Sequence, residues 1–254
     1  MRAGLRPSNR PTMLPDVSVE FVPAAHVREI TQRIAEARQH ALARCGTPPH
    51  HPDAEYWEAL FEANAAAVLA AVPDVTLGAG QVVRYRFFEQ RGADLRVRPF
   101  VAGTATDVGP IRPLLDWHPP PDSPEQAGGA GPTQDVALLY RHFRFPPTAT
   151  GTFDYWLVLE EIWASQRWAH SHVLASAADL SQFTATPGWH TVHPIERYEP
   201  AVVREDGAAR LAVLVACPLG RFEVTLQQVD IAADQSLHYG QPIVVAVGPR
   251  GYLV

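Results

Sequence analysis

The stretch Trp168-Ala-His-Ser-His-Val-Leu-Ala175 sets His170 and His172 two residues apart in strand-like sequence. Side chains alternate along a strand, so both imidazoles would share a face with Trp168 and Leu174. The preceding segment FDYWLVLEEIW, residues 153–163, is rich in aromatic residues and also reads as a strand. A short hairpin through Ala164-Ser-Gln-Arg167 would pair Trp163 with Trp168, setting Glu161 opposite His170 and Leu159 opposite His172. Tyr155 falls on the same face. A carboxylate beside an imidazole between aromatic walls suits a general base, because partial burial draws both pKa values toward neutrality. The plainer alternative is a cross-strand Glu–His pair worth less than ~1 kcal/mol.

Two histidines and a carboxylate converging on one face are also what a divalent metal needs. PGWHTVHP, residues 187–194, adds His190 and His193 as further ligands or ligand contacts. In part this resembles the cupin pattern, where His-x-His and a Glu on a β-barrel are completed by a later His. Cupins place the Glu a few residues after the histidine pair, and here ASAADL follows instead. The family is therefore not assigned, and a His-ligated metal stays the minor branch.

A second cluster lies in VVRYRFFEQRGADLRVRPF. A five-residue loop QRGAD would align Tyr85 and Phe87 with Leu95 and Val97 on one face, and Arg84, Arg86, Arg96 and Arg98 on the other. Like charges across a strand pair repel, so acids from elsewhere, solvent or an anionic ligand must answer them. Arg86 and Arg98 are the candidate anion contacts.

Several chemistries are excluded outright. All 21 basic side chains are arginine, so lysine Schiff bases and Walker-type phosphate loops are out. An all-arginine set is what a GC-rich bacterial genome produces. No Gly-x-Ser-x-Gly, His-Glu-x-x-His or Gly-x-Gly-x-x-Gly motif occurs. A net charge of -6 argues against nucleic-acid binding. Cys45 and Cys217 are too few for a disulfide scaffold or a thiolate zinc site. The N-terminus carries three arginines with no apolar stretch behind them, and no run approaches membrane-spanning length. These features imply a cytoplasmic protein. Residues 1–22 read as a tail, within which Met13 offers a second start.

The elements that must position these residues follow from periodicity. Residues 23–45 place Val27, Ile30, Ile34, Ala37 and Leu42 on one helical stripe, opened by Pro23 and closed by Gly46. Residues 53–72 form a second helix, with Asp53 as N-cap and Pro73 as stop. Joined by a Pro-rich turn, the two make an antiparallel hairpin over 23–72. From residue 75 the period changes to two, giving eight expected strands: VVRYRFF, DLRVRPFV, VALLYRHFRF, FDYWLVLEEIW, RWAHSHVLA, ARLAVLVA, RFEVTLQQVDI and PIVVAV. A Pro/Gly-rich loop at 117–134 reads as an insertion. FDYWLVLEEIWASQ and FEVTLQQVDIAADQ align without gaps, hinting at a duplicated β unit.

The fold class is α+β: a helical hairpin, then an antiparallel sheet curled into a sandwich or barrel-like cup, as one domain over 23–254. The expected function is binding of a small molecule, an anion among the options, in an aromatic-lined β cavity, with an enzyme as one form of it. Glu161, His170 and His172 would do acid–base work, with Tyr155, Trp163 and Trp168 as walls and no cofactor beyond the minor metal branch. The alternative is a non-catalytic interaction or accessory module. A cup needs a void inside, whereas a module fills its interior and exposes an apolar patch.

Overall fold

The computed structural model describes residues 18–46, 53–91, 94–103, 139–164, 171–184, 187–217 and 221–250. Met13, the turn at 47–52, the loop at 117–134, Trp168 and His170 lie outside them.

Helix α1 spans Ala24–Cys45 and α2 spans Ala54–Ala71, packed antiparallel. On α1 the stripe Val27, Ile30, Ile34 and Ala37 is buried, as the spacing predicts. The last turn differs: Ala41, four residues after Ala37, takes the core position and leaves Leu42 exposed. The Asp53 carboxylate accepts from the Tyr56 backbone N–H at 2.8 Å, capping α2.

The main sheet is built from β1 (Val19–Phe21), β6 (His172–Leu174), β7 (His190–Thr191), β8 (Ala201–Glu205), β9 (Ala208–Cys217), β10 (Arg221–Ile231), β11 (Leu237–Tyr239) and β12 (Ile243–Arg250). Its path runs β1-β8-β9-β10-β12-β7, with β6 added to β9 and β11 to β10, every pairing antiparallel. It curls through 205° into a half-barrel. The β8–β9 hairpin closes through Asp206 and Gly207, both at positive φ, as a tight two-residue turn demands. Residues 18–22, expected as tail, instead supply β1 and the buried Val22.

Two small ribbons accompany the sheet: β2 (Thr76–Leu77) with β5 (Phe143–Arg144), and β3 (Gln81–Arg91) with β4 (Asp94–Gly103). A 3-10 turn at Leu139–His142 replaces the strand expected just before β5. The β3–β4 register places Phe87 opposite Val97 and Arg86 opposite Arg98, as expected. Beyond Phe87 an irregularity shifts the pairing so that Glu89 faces Arg96, and pairing continues to Arg91 and Asp94, inside the expected five-residue loop.

The largest correction concerns residues 153–163. They belong to a helix, α3 (Ala149–Ala164), and not to a strand. Every residue from Gly151 to Ile162 is buried. A helix enclosed on all sides is apolar all round, so its sequence shows no amphipathic period and resembles a buried strand. The overlooked signal is Thr148, whose hydroxyl accepts from the Gly151 N–H at 3.0 Å and caps the helix directly after Pro146-Pro147. A Cβ on Gly151 would run into the Pro146 carbonyl oxygen, so only glycine passes this corner. The hairpin that would pair Glu161 with His170 and Trp163 with Trp168 therefore does not form. The supposed duplication falls too, because 153–164 is helical while its counterpart is strand β10.

Helix α3 lies between α2, the β3–β4 ribbon and the inner face of the half-barrel. That face contributes Val202, Leu211, Val213, Val215, Val229 and Ile231 to one large core with Phe153, Trp156 and Leu159. The alternate side chains of the same strands, among them Leu214, Ala216 and Val224, point outward. There they form a smaller cluster with Phe183 of α4 (Ala177–Thr184), Trp189 and Phe222.

Candidate functional site

Helix α3 carries three buried acids, Asp154, Glu160 and Glu161. Burying carboxylates is expensive unless each finds a partner. Asp154 Oδ1 lies 2.7 Å from His26 Nε2, in the first turn of α1. The carboxylate side chain is 3% exposed and the imidazole 28%, so the pair runs from the core to the surface. Burial pushes the Asp154 carboxyl above its usual range, and the His26 hydrogen bond and charge pull it part of the way back.

Glu161 meets Arg38 of α1. The Arg38 Nε–H donates to Glu161 Oε2 at 2.8 Å, and a second guanidinium N–H donates to Oε1. This fork is the geometry a guanidinium offers a carboxylate. Glu161 is 2% exposed, and burial raises its carboxyl against the pull of Arg38. Tyr85 of β3 stands beside this pair, and its hydroxyl donates to the Ile162 carbonyl at 2.8 Å. It thereby satisfies one of the four carbonyls that the end of α3 leaves open. Burial, with Glu161 and Glu62 nearby, holds the Tyr85 phenol protonated.

The residues singled out from sequence are dispersed. Tyr155 is fully buried on α3, stacked on Phe145 at 4.2 Å, with its hydroxyl donating to the Gln235 carbonyl at 2.7 Å. Trp163 stacks on Tyr140. Glu161 answers an arginine of α1, not a strand histidine. His172 sits exposed on β6, its ring 5.1 Å from Phe183. His190 and His193 are exposed around β7. His172 lies opposite Ala216, and across β10 and β12 the same row ends at Thr191. Four strand spacings separate the two ends, about 19 Å, so His172 and His190 do not share a ligand. Arg86 and Arg98 are direct backbone neighbours on β3 and β4. Their neighbour Arg84 is answered within the chain, its guanidinium donating to Glu62 at 2.5 Å.

A separate aromatic row, of which only His172 was singled out from sequence, lies on the outer face. Ring centroids run from His172 to Phe183 at 5.1 Å, on to Phe222 at 5.3 Å and to Trp189 at 4.8 Å, crossing the sheet from β6 to β7. The pair that sequence reasoning missed is His26–Asp154. His26 sits on the polar side of a helix, and the one signal it offers is placement in the first turn. Its partner is 128 residues away, and no local pattern reports that separation.

Among the described residues, no group of three His, Cys, Asp or Glu side chains stands close enough to hold a metal ion. No described helix is long and apolar enough to cross a membrane. No family model, curated protein or solved structure matches the chain.

Proposed function

We propose that the protein is a non-catalytic interaction module that engages another macromolecule through the outer face and open edge of its sheet. One observation carries this. The inner face of the half-barrel is covered by α3, buried from Gly151 to Ile162, while large apolar side chains stand exposed at Val19 and Phe21 of β1, at Val192, and at Ile243 of β12. A small-molecule cup would have the reverse distribution, with space inside and polar groups outside. The setting is cytoplasmic and bacterial in this proposal; the free thiols of Cys45 and Cys217 suit a reducing compartment. In-cell photocrosslinking tests it. A benzophenone amino acid at Ile243 should yield discrete adducts that Val192→Glu diminishes, while the same probe at Ala35, on the solvent side of α1, yields none. Equal, diffuse labelling from both positions would overturn it.

A second reading is favoured by the His26–Asp154 pair. A buried carboxylate that orients a partly exposed imidazole is the arrangement of a general base. It would transfer the acid–base role expected of Glu161 and His170 to a different pair, acting on a small molecule bound near the start of α1. Here His26→Ala should abolish turnover of a panel of simple esters and phosphate esters at a temperature where the variant, destabilised by the unpaired Asp154, is still folded. A parent protein inert toward the whole panel removes this reading.

A further inference from the structure

The edge of the half-barrel at β1 has three properties that together define what it would accept. The first is backbone polarity. The Val22 N–H donates to the Pro200 carbonyl at 2.9 Å, and Glu20 is paired with Val202. Antiparallel ladders alternate, so Val22 and Glu20 direct their amide groups at β8, and Val19 and Phe21 direct theirs outward. Among the described residues β1 pairs with β8 alone, so this row of donors and acceptors faces away from the sheet.

The second property is apolar exposure. Val19 is 50% exposed and Phe21 41%, and both project to the outer face, since Glu20 between them shares the inner face with Val202. Edge strands are usually guarded by a charge, a proline or a bulge, and neither outward position carries one. The Arg197 guanidinium lies 4.0 Å over the Phe21 ring and covers only one side of it.

The third property is charge. Glu20 at the centre of the strand is held by the Arg204 guanidinium of β8. Any added strand must meet a carboxylate that already has a cation beside it.

We infer that β1 is the pairing edge for a second copy of this chain, joining two half-barrels into one continuous antiparallel sheet across a twofold axis at Glu20. The inference rests on the interaction reading above and names its partner. In this register Val19 meets Phe21 of the other copy, twice, as hydrogen-bonded pairs. All the outward amide groups of Val19 and Phe21 are then used, giving four inter-strand hydrogen bonds. Both Val–Phe cross-strand contacts fall on the outer face, where they extend its apolar surface. The two Glu20 side chains meet at the axis, a like-charge contact that the two flanking Arg204 guanidinium groups offset, so the four charges sum to zero. The strand is self-complementary in this one register. Centring the axis on Val19 or Phe21 instead would leave the other residue's amide groups without a partner in the strand, and isologous contacts of this kind are the commonest route to a symmetric dimer.

Sedimentation equilibrium of the full chain over a concentration series tests the inference. The expected species has twice the 27.9 kDa monomer mass. Val19→Pro with Phe21→Pro deletes only outward N–H groups, which edge positions tolerate, and should weaken association at least tenfold. Val19→Lys, which leaves the backbone intact and charges the contact, should do the same. Either variant suffices should the other fail to fold. A parent that stays monomeric up to about 0.2 mM, where even modest affinities populate a complex, overturns the inference. So does a dimer that survives in every folded variant. The photocrosslink from Ile243 reads β12, four strands away from β1 across the sheet, so a monomer that still crosslinks there removes the dimer alone and leaves the interaction reading standing.

Discussion

The two faces of the main sheet are made from the same strands and treat aromatic residues in opposite ways. On the inner face Phe153, Tyr155 and Trp156 of α3 are fully buried, and Asp154 and Glu161 of that helix are tied to α1. On the outer face Phe183, Trp189 and Phe222 are only half buried, under one short helix. The first arrangement has the enclosure that stabilises a fold. The second leaves aromatic area partly exposed, and that asymmetry separates a closely packed face from a thinly covered one.

The sharpest test of this contrast is a pair of tryptophan truncations. Trp156→Ala, in the inner core, should cost about 4 kcal/mol. Trp189→Ala, whose ring rests on Gly248 at the outer face, should cost roughly 1–2 kcal/mol, because much less area is withdrawn from water. Urea melts of both variants measure this, and equal losses would erase the distinction between the faces.

Next in size is Arg38→Ala. It leaves Glu161 buried without its cation, a loss of about 3 kcal/mol by the same denaturation measurement. A loss below ~1 kcal/mol would mean that the carboxyl is neutral in the folded protein. Tyr85→Phe should cost about 1–2 kcal/mol by stranding the Ile162 carbonyl. An unchanged midpoint would show that this end of α3 has another source of donors.

The smallest expected effect is the pH dependence of the inner face. Asp154 and Glu161 both have folded-state pKa values raised above their ordinary 3.8 and 4.5, chiefly by burial. The native state therefore binds more protons than the unfolded one. The stability these groups contribute is present below the ordinary values and declines as pH rises through the raised ones. Melting temperatures compared between the parent and Asp154→Asn with Glu161→Gln should show the parent losing ground from about pH 4 toward neutrality. A gap that widens in the opposite direction would mean that His26 and Arg38 outweigh burial.

Much of the architecture was legible in the residues. The helical hairpin was readable because α1 shows a regular apolar stripe and α2 begins at an Asp cap. Strands β9, β10 and β12 were readable from β-branched runs. The β3–β4 register came through at Phe87–Val97 and Arg86–Arg98 despite the shortened turn. Helix α3 was not, because full enclosure erases the amphipathic period, and Thr148 was the single local mark against a strand. The short strands β1, β7 and β11 have two or three residues each, too few to establish any period, whereas β6 lies inside the expected strand RWAHSHVLA. The site fared worse than the fold. The expected Glu–His pair depended on one hairpin, and when that segment proved helical the carboxylate moved to a different partner.

The sequence by itself determined the fold class, the all-arginine set of basic side chains, and the elements whose side chains repeat with a regular spacing. These depend on near neighbours along the chain, where period and cap chemistry act directly. Only the tertiary structure decided what fills the half-barrel, that Asp154 meets His26 and Glu161 meets Arg38, and that the aromatic row lies outside. Each of those contacts joins residues far apart in the chain. They exist because a buried charge must find its partner wherever packing brings one, and no local spacing records where that will be.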